Sequence, residues 1–456
     1  MNKKNHFPPR IDFVTFRAGS LIFALSMHLL LAACSGHNST PGASRRTVNL
    51  AFGPEQRLGQ SDNNPSTPFL RYSPDGRLFA IWTEADHSSS SEKTQSAMHR
   101  PHQSGKMAPS PMRNTLLAAS IDGGKTWSWV KQVNRSVEAI QEEENGPKVA
   151  FGANNKAYVA WAIPGGKGDR TRANIRFAME DEKGGFSPAR TLNEVRDAAR
   201  FPIIEVSPDG SVLLAWIDRR IDNPNPRQLY LMKLDSDGKE LTRNYSVGKG
   251  LCECCKLGVA FADGGKTVYL VDRQVDYNQI RNHVLRKSID GGKTFAAPVV
   301  ISDDGWQVPS CPHSGPSIGR DSRGWLHVTW FTLGRTEREA GIYYSVSTDG
   351  GKSFQARRLV HANTAAEILY STLILGNDDT VYVAWSNLDG NNRAQIFLRT
   401  LSPDGRSWGP IQQVSNAEGN ASRPVLALLK DRLHVAWTET DGENSRVALR
   451  SATVAK

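Results

Sequence analysis

Four of the chain's five cysteines fall in two short segments. GLCECCKLG at 250–258 carries Cys252, Cys254 and Cys255, and VPSCPHSGP at 308–316 carries Cys311 and His313. Three chemistries suit this set. In an oxidising compartment an even number of thiols reads as two disulfides. The adjacent Cys254 and Cys255 have Cα atoms about 3.8 Å apart, below the usual disulfide span, so a bond from one of them to Cys311 is the easier geometry. The same residues are soft ligands for copper or zinc. The third chemistry is thiol redox exchange. A second group of soft ligands lies in a long segment at roughly 85–113, with His87, Met98, His99, His102, Met107 and Met112. Thioethers and imidazoles on a loop suit copper. A Ser-, Gln- and Pro-bearing insertion is equally at home as unstructured chain.

Carboxylate-binding and acid–base residues form a looser set. Arg200 lies in RFP and Arg423 in SRP. Asp218 is followed by Arg219 and Arg220, and Arg273 by Asp276, Tyr277 and Arg281. Glu142, Glu143 and Glu144 stand in a row. Arginine grips a carboxylate through two parallel hydrogen bonds, so a convergence of these residues would hold an anionic ligand. Taken singly, each is also an ordinary polar-loop residue. There is no Gly-rich phosphate loop, no serine elbow and no HExxH.

The elements that must position these residues recur along the chain. Seven apolar runs, most ending in tryptophan, are FAIW (79–82), YVAW (158–161), LLAW (213–216), YLVD (269–272), HVTW (327–330), YVAW (382–385) and HVAW (434–437). From the second onward they start 52 to 58 residues apart. Several short strands per repeat at this period predict a β-propeller. Residues 314–361 show the unit: strands SGPSIGRD, LHVTW, IYYSVS and SFQARRLV, with alternating apolar and β-branched positions. First strands are expected near Pro68, Pro147, Pro202, Lys256, Pro316, Ile368 and Pro424. The last segment, RVALRSATV, is a third strand with nothing after it, while FGPEQRL at 52–58 has the pattern of a fourth. The N-terminal strand should therefore complete the seventh blade and leave no open edge. In such a ring the fourth-to-first and second-to-third connections share one face. Both cysteine segments are fourth-to-first connections of consecutive blades.

The turn between third and fourth strands reads SIDGGKTW (120–127), SIDGGKTF (288–295) and STDGGKSF (347–354), with a shorter SPDGRSW at 402–408. Asp122, Asp290 and Asp349 can accept hydrogen bonds from the amides of their own turns, and the glycines supply positive φ. This motif resembles the Asp-box of the sialidase-like, or BNR-repeat, propellers, and the resemblance extends through 47–456. It implies that these boxes are structural and lie on the face away from any active site. It also implies a possible exo-sialidase-like site of arginines, a tyrosine paired with a carboxylate, and an acid/base aspartate. Weak matches are Arg200, Asp218, Arg273, Tyr277 and Arg423. Family enzymes resemble six-bladed rings, whereas this chain counts seven units. DSDGKE at 235–240 lacks a glutamate at the twelfth position of a calcium loop and reads as a degenerate turn.

The first 33 residues have the pattern of a secretory signal: Lys3, Lys4, Arg10 and Arg17, then an apolar stretch. LAAC at 31–34 resembles the lipobox of bacterial lipoproteins, which implies lipidation at Cys34 and anchoring to the outer membrane or cell surface. Residues 34–46 then form a flexible tether. Removing the signal lowers the formal charge from +10 to +7, spread without a basic run interleaved with aromatics. Nucleic-acid binding is not indicated, whereas an anionic ligand or surface fits. Two functions follow. One is a lipid-anchored propeller binding a glycan, a protein or a metal through its Cys/His-marked face, with the lipid as its contact with the membrane. The other is a glycoside hydrolase acting on sialic-acid or other anionic glycans.

Overall fold

A computed structural model describes residues 50–86, 112–166, 172–220, 227–252, 255–307, 314–362 and 370–454. Seven antiparallel sheets follow one another along these residues and make a seven-bladed β-propeller, within a compact unit of residues 46–456. The inner strands are Ser66–Tyr72, Lys148–Phe151, Ala199–Val206, Gly258–Ala262, Ser317–Arg320, Ser371–Leu375 and Asn420–Leu429. Each starts within four residues of its sequence-based position, though Ile368 itself lies outside the described residues. No helix among the described residues is long and apolar enough to cross a membrane.

The ring closes as the unpaired C-terminal strand requires. Ala51 and Phe52 pair with Thr453 and Ala452, and Gln56–Leu58 pair with Leu449, Ala448 and Val447. Arg450 reinforces this seam, its Nε donating to the Gly53 carbonyl at 2.8 Å.

The second strand of each blade has sheet on both sides and neighbouring blades on both faces. Every residue of Val212–Asp218 and Leu326–Thr332 is accordingly buried. That is why these strands read as continuous apolar runs and not as alternation. The core is divided among the seams. Apolar clusters of the described residues join neighbouring blades: Ala160, Phe177 and Trp216 between the second and third, for example, and Tyr382, Leu433 and Trp437 between the sixth and seventh.

A buried indole N–H gains from a partner, and four of the six repeat tryptophans have one. Trp82 Nε1 donates to Glu84 at 2.8 Å, Trp161 to Glu138 at 2.8 Å, Trp216 to Asp218 at 3.0 Å and Trp330 to Asp304 at 2.8 Å. In the fourth blade Asp272 replaces tryptophan. It is buried and pairs with Arg286 on the adjacent strand at 2.7 Å. Burial nonetheless pushes the Asp272 carboxyl above the ordinary carboxylate range.

Local hydrogen bonds order the Asp-box turns, and side chains of neighbouring strands reach two of them, Lys233 Nζ donating to the Gly291 carbonyl at 3.2 Å and Lys287 Nζ to the Gly350 carbonyl at 2.8 Å. Asp349 Oδ1 accepts from the backbone N–H groups of Lys352 at 2.9 Å and Ser353 at 3.0 Å, and from the Ser347 hydroxyl at 2.8 Å. Asp122 and Asp290 repeat the pattern, with Thr126 and Thr294 hydroxyls donating to Oδ2 at 2.6 Å. These donors, the hydroxyl first, hold all three carboxyls below their usual range, Asp290 down to about 2. Gly123 and Gly124 have φ of 71° and 82°, which only glycine adopts without strain. Asp235 accepts from the N–H groups of Asp237 and Lys239, so DSDGKE is a plain turn.

Candidate functional site

The seven inner strands surround a central channel with a cavity of about 600 Å³. Antiparallel order fixes its two ends. The first residues of each inner strand, and the connections leading into them, form the mouth. The last residues lie at the Asp-box end.

Several polar contacts bridge blades that are not neighbours, so they span the lumen. Arg71 of the first blade pairs with Glu205 of the third near the Asp-box end. This ion pair floors the channel. At the mouth, Lys256, leading into the fourth blade, donates from Nζ to the Ser371 carbonyl of the sixth at 2.8 Å. Arg423 of the seventh blade reaches Glu143, just before the second, at 3.0 Å. The same guanidinium donates to the Tyr370 hydroxyl at 3.0 Å and lies 4.4 Å from that ring's centre. Lys148 donates from Nζ to the carbonyls of Glu144 and Gly146 at 2.6 and 3.3 Å. Lys148 also lines the cavity. Desolvation, with the Lys256 charge adding to it and Glu144 opposing, lowers its pKa to about 8. Burial raises the Tyr370 phenol above its usual value.

The mouth is also where the backbone is strained. Thr67, Phe201 and Arg423 have φ of 51°, 55° and 54°, and each precedes a proline, Pro68, Pro202 or Pro424. Sheet register breaks at these places, between Ser66 and Phe69, Arg200 and Ile203, and Ser422 and Val425. A left-handed threonine before proline is sterically costly, and such residues persist where surrounding contacts hold them. The Thr67 N–H donates to Thr438 Oγ1 at 3.1 Å, and the Phe201 N–H to Asn145 Oδ1 at 2.7 Å. Bulges re-aim side chains. At Arg423 the bulge sends the guanidinium towards Glu143 and Tyr370.

Of the five sequence-based catalytic candidates, Arg423 lines the channel. The others stand elsewhere. Asp218 is fully buried as the acceptor for Trp216 and the partner of Arg220, Nε to Oδ1 3.0 Å. Arg273 is 1% exposed and inserted between blades, donating to His283 Nε2 at 3.1 Å and the Phe331 carbonyl at 2.7 Å. Arg200 lies against Phe201, 4.6 Å from the ring centre. Tyr277 is 83% exposed, in a turn whose amides are held by Asp276. Glu142 pairs with Arg113 at 2.5 Å. Lys148 and Tyr370 were not singled out by the sequence, and Lys256 only as a strand start. The signal available for the lysines was position, at the start of an inner strand for Lys148 and two residues before one for Lys256.

Cys252 and Cys255 are buried with sulfurs 3.2 Å apart. Cys254, Cys311 and His313 lie outside the described residues, as do Cys34, Met98, His99, His102 and Met107. Met112 is described, at the outer end of a strand and 41% exposed. Among the described residues no group of three or more His, Cys, Asp or Glu side chains could hold a metal ion.

No protein-family model and no curated protein sequence matches the chain. Solved structures do. An ulvan lyase, a polysaccharide lyase solved with a bound GlcA-containing repeat, aligns with TM-score 0.54 at 10% identity, covering 88% of this chain and 96% of its own. A second polysaccharide lyase aligns with TM-score 0.53 at 11% identity, covering 86% and 90%. A Hadza microbial sialidase aligns with TM-score 0.45 at 14% identity, covering 74% and 73%. At these identities the likeness is one of fold alone.

Proposed function

We propose that the protein is an exported, lipid-anchored propeller that binds an anionic glycan at the mouth of its channel. The observation that carries this reading is the convergence of Lys148, Lys256 and Arg423, from three different blades, on one rim. Their partners there are weak or replaceable. Two of the three bind backbone carbonyls, and Glu143 can yield Arg423 to a ligand carboxylate. Arginine and carboxylate match in geometry, and Tyr370 offers an aromatic face to a sugar ring. The fold neighbours that act on polysaccharides are in accord with a glycan ligand. Export and anchoring rest on the 1–34 sequence pattern, and Cys34→Ser should release the protein from the membrane fraction.

Calorimetry with oligogalacturonate, sialyllactose and a neutral cello-oligosaccharide tests the reading. Binding of an anionic saccharide that weakens with salt supports it. Equal or absent binding across the three refutes it.

A hydrolytic reading has one observation in its favour. Tyr370, Arg423 and Glu143 form a tyrosine, arginine and carboxylate chain at the mouth, the residue types an exo-sialidase-like glycoside hydrolase uses. Release of fluorophore from a sialoside, abolished by Tyr370→Phe, would establish it, and no turnover at high enzyme concentration would exclude that substrate.

A further inference from the structure

The cysteine segment before the fourth blade is held at both ends. Leu251 bridges to Gln274, and the Cys252 N–H donates to the Arg273 carbonyl at 2.7 Å. Arg273 Nη1 contacts Cys255 Sγ at 3.5 Å. That guanidinium lies 4.9 Å from the centre of the Trp306 ring, with His283 and the Phe331 carbonyl accepting its other N–H groups. The result is a Cys-x-x-Cys pair with sulfurs 3.2 Å apart and both side chains at most 2% exposed. A disulfide needs about 2.05 Å between sulfurs, so a small rotamer adjustment closes the gap. The fixed cation beside Cys255 favours its thiolate, the species that attacks a disulfide.

We infer that Cys252 and Cys255 form a disulfide within this one connection, and that the bond holds Lys256 in place at the channel mouth. Of the two cysteines expected to bridge to Cys311, Cys254 or Cys255, this leaves Cys254. The next residue after Cys255 is Lys256, whose ammonium crosses the lumen to Ser371. The oxidant is a small-molecule disulfide such as oxidised glutathione. Cys255 thiolate attacks one of its sulfurs, the S–S bond breaks, and one glutathione leaves carrying the proton that Cys255 lost. Cys252 then loses its proton, attacks the mixed disulfide at Cys255 and expels the second glutathione as a thiol. Two protein thiols are oxidised and one glutathione disulfide is reduced to two thiols. Burial means that exchange requires the connection to open, so the closed bond resists reduction. The consequence for Lys256 rests on the anion-binding reading, whereas the bond itself does not.

The test uses the full chain equilibrated in oxidised glutathione, alkylated and cut with trypsin. Cleavage after Lys249 and Lys256 releases a 250–256 peptide holding Cys252, Cys254 and Cys255. In Cys311→Ser this peptide should be two hydrogens lighter than its thiol form, with a single label on Cys254. Label on Cys252 or Cys255, or three labels, overturns the assignment, as does labelling that appears only after chelation and so marks a metal. Should Cys311→Ser not fold, fragment mapping of the wild type decides: a link from Cys252 or Cys255 to Cys311 refutes the local bond. Calorimetry with oligogalacturonate on oxidised and reduced protein tests the coupling. Preorganisation of Lys256 should tighten binding about fivefold in the oxidised form. Equal binding overturns the coupling alone, and no binding by either form overturns the anion-binding reading while the peptide map still judges the bond.

Discussion

The two ends of the channel are built on opposite principles. At the Asp-box end the turn carboxylates of Asp122, Asp290 and Asp349 find their partners within four residues along the chain. At the mouth, Lys256 and Ser371 are 115 residues apart, and Arg423 and Tyr370 are 53 apart. A turn ordered by its own carboxylate can be repeated from blade to blade. A rim made of one residue from each of several blades can differ at every position. The repeated end supplies stability, and the varied end is where a ligand can be recognised.

Mutations at the two ends should therefore separate binding from stability. The largest effect is expected from Arg423→Ala, which removes the cation that bridges Glu143 and Tyr370. Affinity for an anionic saccharide should fall about 100-fold, because a charge-assisted pair is lost. The unfolding free energy should change by no more than about 1 kcal/mol for a partly solvated ion pair. Loss of stability with unchanged affinity would reverse the assignment of this end. Asp349→Ala is the converse experiment. Losing several turn hydrogen bonds should cost about 1–2 kcal/mol in denaturant unfolding, with ligand affinity unaltered.

A pH titration sharpens the contrast. Lys148 loses its proton near pH 8 in the native chain, against an ordinary value of 10.5. Anion affinity should therefore decline between pH 7 and 9, and Lys148→Met should abolish that decline. Stability moves the other way. Between pH 8 and 10.5 the unfolded chain holds more protons at this site than the native one, so the Lys148 contribution to stability rises with pH. The smallest effect belongs to Asp290, whose carboxyl is held down to about 2 from 3.8 by the Thr294 hydroxyl. Its contribution is present above pH 3.8 and disappears as pH falls towards 2. The urea midpoints of wild type and Asp290→Asn should accordingly converge at pH 2.

Particular residues show what the sequence could reveal about the site. Asp218 drew attention as an acidic residue beside two arginines, yet it lies two positions after Trp216, on the same face of one strand. Trp82 and Glu84 repeat the spacing, so the indole–carboxylate pair is local and legible in retrospect. Arg273 is different. Nothing near it in the chain announces that it runs between blades to the Phe331 carbonyl, 58 residues away. Arg423 is itself the left-handed residue before proline, whereas Arg200 stands one position ahead of its counterpart Phe201, so a shift of one residue along an inner strand separates the two arginines. One guanidinium enters the channel rim and the other lies against Phe201.

The amino-acid sequence determined the blade count, the closure of the ring and the Asp-box turns. Each rests on short-range physics: strand periodicity, turn hydrogen bonds, and a strand whose edge must be paired. Only the tertiary structure decided which charges meet at the mouth, which arginines are buried between blades, and that Cys252 lies against Cys255. Those outcomes depend on how neighbouring sheets stack around the axis. That stacking brings together side chains whose separation along the chain carries no record of their distance in space.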